Sequence, residues 1–153
     1  MLKSLKPITI LMADDSEDDR LLTRLALEQS LVANELYEVE NGQELMDYLH
    51  RRGPFAAPAS SPHPGLVLLD LNMPLKNGFE ALQEIRADVR LRRLPVIVLT
   101  TSQAEEDIVR SYDLGINSFI SKPVTFEALV EIMRTLGKYW IEIVSIPGPD
   151  EEE

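Results

Sequence analysis

Five polar side chains of this sequence stand at the ends of four short runs that read as strands. Asp14 and Asp15 follow Ile8-Thr9-Ile10-Leu11-Met12, Asp70 follows Leu66-Val67-Leu68-Leu69, Thr100 follows Val96-Ile97-Val98-Leu99, and Lys122 follows Ser118-Phe119-Ile120-Ser121. Clustered carboxylates repel one another and need a divalent cation, and an all-oxygen donor set suits Mg²⁺. A hydroxyl and an ammonium beside them could bind the oxygens of an anion. Carboxylate nucleophile, Mg²⁺, hydroxyl and lysine together suit phosphoryl transfer onto Asp70, with the protein supplying position and charge neutralisation. Asp70 is the centre of this reading. A carboxylate at the end of so apolar a run is costly unless a cation or hydrogen bonds compensate it. Taken alone, the stretch equally fits an Asp that caps a turn; the ends of the other runs decide.

The elements that must bring these residues together follow from the pattern of the chain. The run before Asp70 reads as a strand buried on both faces, broken by Asn72, Pro74, Asn77 and Gly78, which puts Asp70 at the strand's carboxyl end. Ile8 to Met12 is a first buried strand, and five acids fill the six positions from Asp14. Ser16 with Asp19 is a helix-start signal, followed by Leu21, Leu22 and Leu25 at helical spacing. Leu36-Tyr37-Glu38-Val39 is a weaker strand; Asn41 with Glu44 caps a helix carrying Leu45, Met46 and Leu49 rather than forming a hairpin turn. The Pro-, Ala- and Ser-rich connection from Gly53 to Gly65 reads as a long irregular loop without chemistry. Asn77 and Glu80 start a third helix with Leu82, Ile85 and Val89 as its buried stripe. Ser102 and Glu105 cap a fourth with Ile108, Val109 and Tyr112, and Thr125 starts a fifth with Leu129, Ile132, Met133 and Leu136.

Strand and helix thus alternate five times. That predicts an α/β, flavodoxin-like, doubly wound (βα)5 domain with a five-stranded parallel sheet, order 2-1-3-4-5, and right-handed crossovers. In such sheets ligands bind at the carboxyl ends of the strands, here beside strands one and three. No repeat and no second domain are visible. The expected organisation is a lead over 1–7, the domain over 8–138, an apolar extension over 139–147 and a disordered acidic end over 148–153.

Composition narrows the classes of function. The 153 residues suit one domain with a real core, with 44% hydrophobic and 27% charged residues. No apolar run approaches the roughly 20 residues of a membrane helix, and the start lacks a signal-peptide core. The chain has no cysteine, hence no disulfide and no thiolate metal site, which is compatible with a cytoplasmic setting. A net charge of −11 argues against direct nucleic-acid binding and favours cations or basic protein patches as partners. Arg86, Arg90, Arg92 and Arg93 gather near the third helix's end and read as a solvated face complementing the helix dipole. His50 and His63 read as solvent-facing, and Met12 and Met73 as core filler.

Asp14-Asp15, Asp70, Thr100 and Lys122-Pro123, in that order and spacing, resemble the receiver domain of two-component response regulators, over about Ile8 to Val144. The resemblance implies a CheY-like fold with Asp70 as phosphoacceptor for a sensor histidine kinase. It implies Mg²⁺ bound by Asp15 directly and by Asp14 mainly through water, with the phosphorylatable Asp70 and the Asn72 main-chain carbonyl completing the metal set. It implies Thr100 and Lys122 on the phosphoryl oxygens, Thr100 and Phe119 as switch residues, and a cis bond before Pro123. Phe119, lacking a hydroxyl, could signal only by burial. Phosphorylation would remodel the face built from the fourth helix, fifth strand and fifth helix, a population shift driven by new charge at one rim. Asn72 and Ser102 would tune hydrolysis.

Leu99-Thr100-Thr101-Ser102, Ser111-Tyr112-Asp113-Leu114 and Tyr139-Trp140-Ile141-Glu142-Ile143-Val144-Ser145-Ile146-Pro147 are similar to stand-alone regulators serving phytochrome-type histidine kinases. The apolar tail after Gly137 reads as a homodimer surface or as a strap on its own domain. No output domain is expected after the fold, so the expected role is a protein contact switched by phosphorylation, or a phosphoryl sink or relay intermediate. No enzymatic activity is expected beyond self-catalysed phosphotransfer and autodephosphorylation. Two other classes use related parts. An Asp-nucleophile phosphatase of the haloacid-dehalogenase type wants a second Asp two positions after the first, where Asn72 stands. A flavodoxin-type flavin module wants a Ser/Thr/Gly phosphate loop where the acids after the first strand would repel a phosphate.

Overall fold

The computed structural model describes residues 8–30 and 35–139. The lead over 1–7 and the extension and acidic end from residue 140 onward lie outside the described residues, so the expected dimer surface or strap does too. Five strands, β1 (Thr9–Ala13), β2 (Glu35–Val39), β3 (Leu66–Leu69), β4 (Val96–Thr100) and β5 (Ser118–Ser121), alternate with α1 (Glu17–Gln29), α2 (Gly42–Leu49), α3 (Gly78–Ala87), α4 (Glu105–Asp113) and α5 (Phe126–Gly137). The sheet order is β2-β1-β3-β4-β5 and every pairing is parallel, the flavodoxin-like arrangement expected from the sequence.

Burial explains the order. β3 and β4 are buried at every residue, as central strands covered on both faces must be. The edge strands β2 and β5 are largely half-exposed. Side chains alternate across the sheet. Leu11, Val67, Leu69, Val96 and Val98 pack with α2 and α3 (Leu45, Met46, Leu82, Ile85). Ile10, Met12, Leu66, Leu68, Ile97 and Leu99 pack with α1 and α5 (Ala26, Leu27, Leu129, Val130, Met133). Each fully buried aliphatic side chain contributes about 1.5–3 kcal/mol.

Four helix starts are made as the sequence predicts. The side chains of Ser16, Asn41, Asn77 and Thr125 accept from the backbone N–H groups of Asp19, Glu44, Glu80 and Ala128, and Asn77 with Glu80 forms a complete capping box. The α4 start differs. Its first flanking residue is Ala104, without a side-chain cap, and the Ser102 hydroxyl instead donates to Asp107 Oδ2 at 2.7 Å.

Three of the expected stripes also differ. In α1 the buried residues are Thr23, Ala26 and Leu27, at helical spacing, while Leu21, Leu22 and Leu25 lie on the adjacent face and are about two-fifths exposed. In α3 the chain leaves the helix at Asp88, so Val89 is exposed and Leu91 and Leu94 fill its place in the core. Only Ser111 of α4 is buried, and Val109 and Tyr112 are half-exposed. The Gly53–Gly65 connection contains a 3-10 turn and is tied down by Tyr48, whose hydroxyl donates to the Pro62 carbonyl at 2.7 Å. Arg86 is no solvated charge. Its guanidinium donates to the carbonyls of Arg92, Leu94 and Gly115, joining the end of α3 to the turn after α4.

Candidate functional site

Backbone pairing sets the site. Asp14 N donates to the Val39 carbonyl at 3.1 Å and Asp70 N to the Ala13 carbonyl at 3.0 Å, which extends the ladder past β1 and β3 and puts the two acids side by side. Lys122 N donates to the Thr100 carbonyl at 2.7 Å and does the same for β5 beside β4. Two close backbone approaches fix the loop after Asp70. A Cβ on Gly78 would lie 2.5 Å from the Asp70 carbonyl oxygen, and one on Gly42 2.1 Å from that of Lys76, so only glycine fits.

Side chains then converge. The carboxylates of Asp14, Asp15 and Asp70 each offer an oxygen within 4.8 Å of the others. Asp14 and Asp70 are buried and Asp15 is exposed, so the cluster has a solvent-facing side. Asp14 Oδ1 accepts from Ser16 N at 2.9 Å, and the Arg20 guanidinium donates to the Asp14 carbonyl at 2.7 Å. Asp70 Oδ1 accepts from the Thr100 hydroxyl at 2.7 Å and from Asn72 N at 3.4 Å. Lys122 Nζ lies 2.7 Å from Asp14 Oδ2, 2.7 Å from Asp19 Oδ2 and 3.4 Å from Asp70 Oδ2.

Three carboxylates therefore face one ammonium, and Asp15 adds a fourth negative charge to the cluster. Burial pushes Asp14 above the usual carboxylate range, against the lowering effect of its hydrogen bonds with Lys122 and Ser16. Burial by itself would pull Lys122 down, but the bonds from Asp14 and Asp19 outweigh it and hold the ammonium above its ordinary range. The remaining negative charge and the hard oxygen donors fit a divalent cation of the Mg²⁺ type held by Asp14, Asp15 and Asp70.

The structure thus brings together Asp14, Asp15, Asp70, Thr100 and Lys122, with the Asn72 amide at the rim. Phe119 stands apart from the carboxylates. It is half-buried against the core on the α2–α3 side, and its N–H donates to the Tyr112 hydroxyl at 3.2 Å. One expectation is corrected. The bond before Pro123 is trans, as is every peptide among the described residues. Lys122 N–H donates to the Thr100 carbonyl, and trans is the isomer that an X-Pro bond intrinsically favours. Sequence reasoning took Asp19 only as the helix-start partner of Ser16 and missed its ion pair with Lys122. The signal was its place in the first turn of a helix that begins directly after Asp14 and Asp15. Arg20, on the same turn, was missed as well.

The family profile described as "Response regulator receiver domain" matches residues 10–134. Response regulator Rcp1 of Synechocystis sp. is 37% identical over 142 residues, which are 93% of this chain and 95% of Rcp1. Its Mn²⁺-bound crystal structure aligns with a TM-score of 0.82 and 37% identity, covering 93% of this chain and 100% of that one. The phosphorylated cyanobacterial phytochrome response regulator RcpA aligns with a TM-score of 0.84 and 38% identity, over 94% of this chain and 100% of RcpA. Rim geometry, sheet order and these full-length likenesses agree: the chain belongs to the response regulator receiver domain family.

Proposed function

We propose that this receiver accepts a phosphoryl group from a sensor histidine kinase on Asp70, in an Mg²⁺-dependent reaction, and so switches a protein-interaction surface. The carrying observation is the convergence of Asp14, Asp15, Thr100 and Lys122 on the Asp70 carboxylate at the sheet edge. A carboxylate oxygen of Asp70 attacks phosphorus, the O–P bond forms, and the N–P bond to the donor histidine breaks with its electron pair leaving on the imidazole. Asp14, Asp15 and Asp70 would hold Mg²⁺ with the Asn72 carbonyl; when bound, the ion neutralises charge on the transferring group. The Lys122 ammonium and the Thr100 hydroxyl turn from carboxylate oxygens to phosphoryl oxygens. Water later attacks phosphorus, the O–P bond to Asp70 breaks with its electron pair returning to the carboxylate, and inorganic phosphate leaves, with Asn72 and Ser102 flanking the site. The protein is a substrate of its own chemistry rather than a turnover enzyme.

Thr100 ends β4, and the segment after it leads through Ser102 to α4, which is held to the core only lightly. Movement of Thr100 and Phe119 would therefore be read on the α4–β5–α5 face. A phytochrome-type kinase as donor is supported by the likeness to RcpA. Action as a cytoplasmic homodimer fits the reading; no helix of the described residues is long and apolar enough to cross a membrane. Sedimentation at high micromolar concentration, with and without phosphorylation, tests the dimer, and a monomer in both states removes it.

The decisive experiment is intact mass after incubation with acetyl phosphate and Mg²⁺, beside Asp70→Asn. One labile phosphoryl group, lost without Mg²⁺ and in the variant, is the expected result. Absence of the adduct, with beryllofluoride binding also absent, rejects the reading.

A further inference from the structure

Lys122 has more anionic partners than a phosphoryl-binding lysine requires. Its Nζ makes equally short bonds to Asp14 and Asp19, both 2.7 Å, and a longer one of 3.4 Å to Asp70. Asp14 and Asp70 belong to the cation-binding triad; Asp19 does not. Asp19 sits in the first turn of α1, its own N–H held by the Ser16 hydroxyl at 3.1 Å, so its carboxylate projects from a fixed point. Its side chain is 35% exposed, against 4% for Asp14 and 13% for Lys122. Asp19 is thus the solvent-facing partner of an otherwise buried ammonium.

We propose that Asp19 is a positioning residue for Lys122, a resting counter-ion that holds the ammonium while Asp14 serves the cation and yields it when phosphoryl oxygens arrive. The inference rests on the phosphoryl-acceptor reading above. A divalent cation at the triad and the ammonium compete for Asp14 Oδ2 and repel each other, so cation binding is easier if Lys122 has another carboxylate to occupy. Asp19 supplies it at no change in the fold. Because the Asp19 side of that pair reaches solvent, it is more readily given up than a fully buried pair, which would cost much more to separate. Asp19 therefore favours cation entry and tempers the grip of Lys122 on the phosphoryl group.

The test is a double-mutant cycle between Asp19→Asn and Lys122→Met, read by Mg²⁺ titration of amide NMR shifts and by beryllofluoride binding at saturating Mg²⁺. Asp19→Asn should weaken Mg²⁺ binding about fivefold and tighten beryllofluoride binding about threefold, as expected for one partly exposed charge pair. Both changes should shrink below about twofold in the Lys122→Met background, and Asp19→Glu should restore at least half of each. Equal effects in both backgrounds would assign them to the general field of the carboxylate and overturn the proposal, as would no effect in either. Should Lys122→Met not fold, failure of Asp19→Glu to restore Mg²⁺ affinity overturns it instead. If beryllofluoride binds no variant, phosphoryl acceptance falls, while the Mg²⁺ arm still decides whether Asp19 acts through Lys122.

Discussion

The Thr100 hydroxyl donates to Asp70 Oδ1 across 2.7 Å, from a strand next to β3 and with both side chains buried. The bond already engages the hydroxyl, so in the proposed phosphoryl transfer Thr100 would exchange one anionic oxygen for another. Thr100→Val keeps the shape and removes the donor. Hydrogen bonds to a charged group contribute about 1.5–3 kcal/mol, and the variant should lose stability of that size in urea unfolding of the metal-free protein. Thr100→Ser should retain most of it. A Thr100→Val protein as stable as the parent would mean that the bond is not made in solution.

Gly78 packs against the backbone of Asp70 and Leu71, and its N–H donates to the Leu71 carbonyl at 3.0 Å. The atoms that a Cβ would strike are main-chain and cannot rotate away. Gly78→Ala should cost about 1–3 kcal/mol through forced displacement of this loop. Because the displaced residue is Asp70, Mg²⁺ affinity should fall with stability. A chemical unfolding curve and a Mg²⁺ titration on the same sample check both; a stable variant with unchanged affinity would show that the loop yields elsewhere.

Most of the fold was legible because apolar runs and cap pairs are local signals. β3 and β4 are continuous buried runs, and Ser16, Asn41, Asn77 and Thr125 each cap the helix they announce. The site was legible for the same reason: Asp14, Asp70, Thr100 and Lys122 are where strands stop. The failures are places where two local readings compete. Leu21, Leu22 and Leu25 have helical spacing, but so do Thr23, Ala26 and Leu27, and the sheet selects the second set. Ser102 has the spacing of a cap to Glu105, yet its hydroxyl finds the Asp107 carboxylate, two residues further along the helix. Arg86 looked like one of a solvated cluster because its three carbonyl partners are up to 29 residues away. The link of Asp19 to Lys122 spans 103 residues and has no local signal at all.

Tyr48 gives the protein an alkaline limit. Burial, aided by Tyr37, pushes its phenol up to about 12. An acid whose folded pKa is raised contributes stability that is complete below its unfolded value, near 10, and lost as pH rises through the folded one. Stability should therefore decline between pH 10 and about 12, by at most about 3 kcal/mol at roughly 1.36 kcal/mol per pH unit. Tyr48→Phe should flatten that decline. At neutral pH it should cost about 1 kcal/mol, for the lost bond to the Pro62 carbonyl. Unfolding midpoints from pH 8 to 12 for both proteins check the sign: a parallel decline would place the limit at another group.

Asp15 separates the metal's contribution from that of the fold. It is exposed and makes no ion pair or side-chain hydrogen bond among the described residues, yet it completes the carboxylate triad. Mg²⁺ that binds only the folded chain stabilises it in proportion to the logarithm of its concentration over Kd, by about 2.7 kcal/mol at a hundredfold excess over Kd. The parent protein should melt higher in millimolar Mg²⁺ and return to its starting Tm with a chelator. Asp15→Asn should leave the metal-free stability within about 0.5 kcal/mol, as befits an exposed substitution. The same substitution should remove most of the Mg²⁺-dependent rise, because it deletes the one triad ligand that faces solvent. An undiminished rise in Asp15→Asn would put the cation elsewhere on this strongly acidic surface, where added sodium chloride would screen it away.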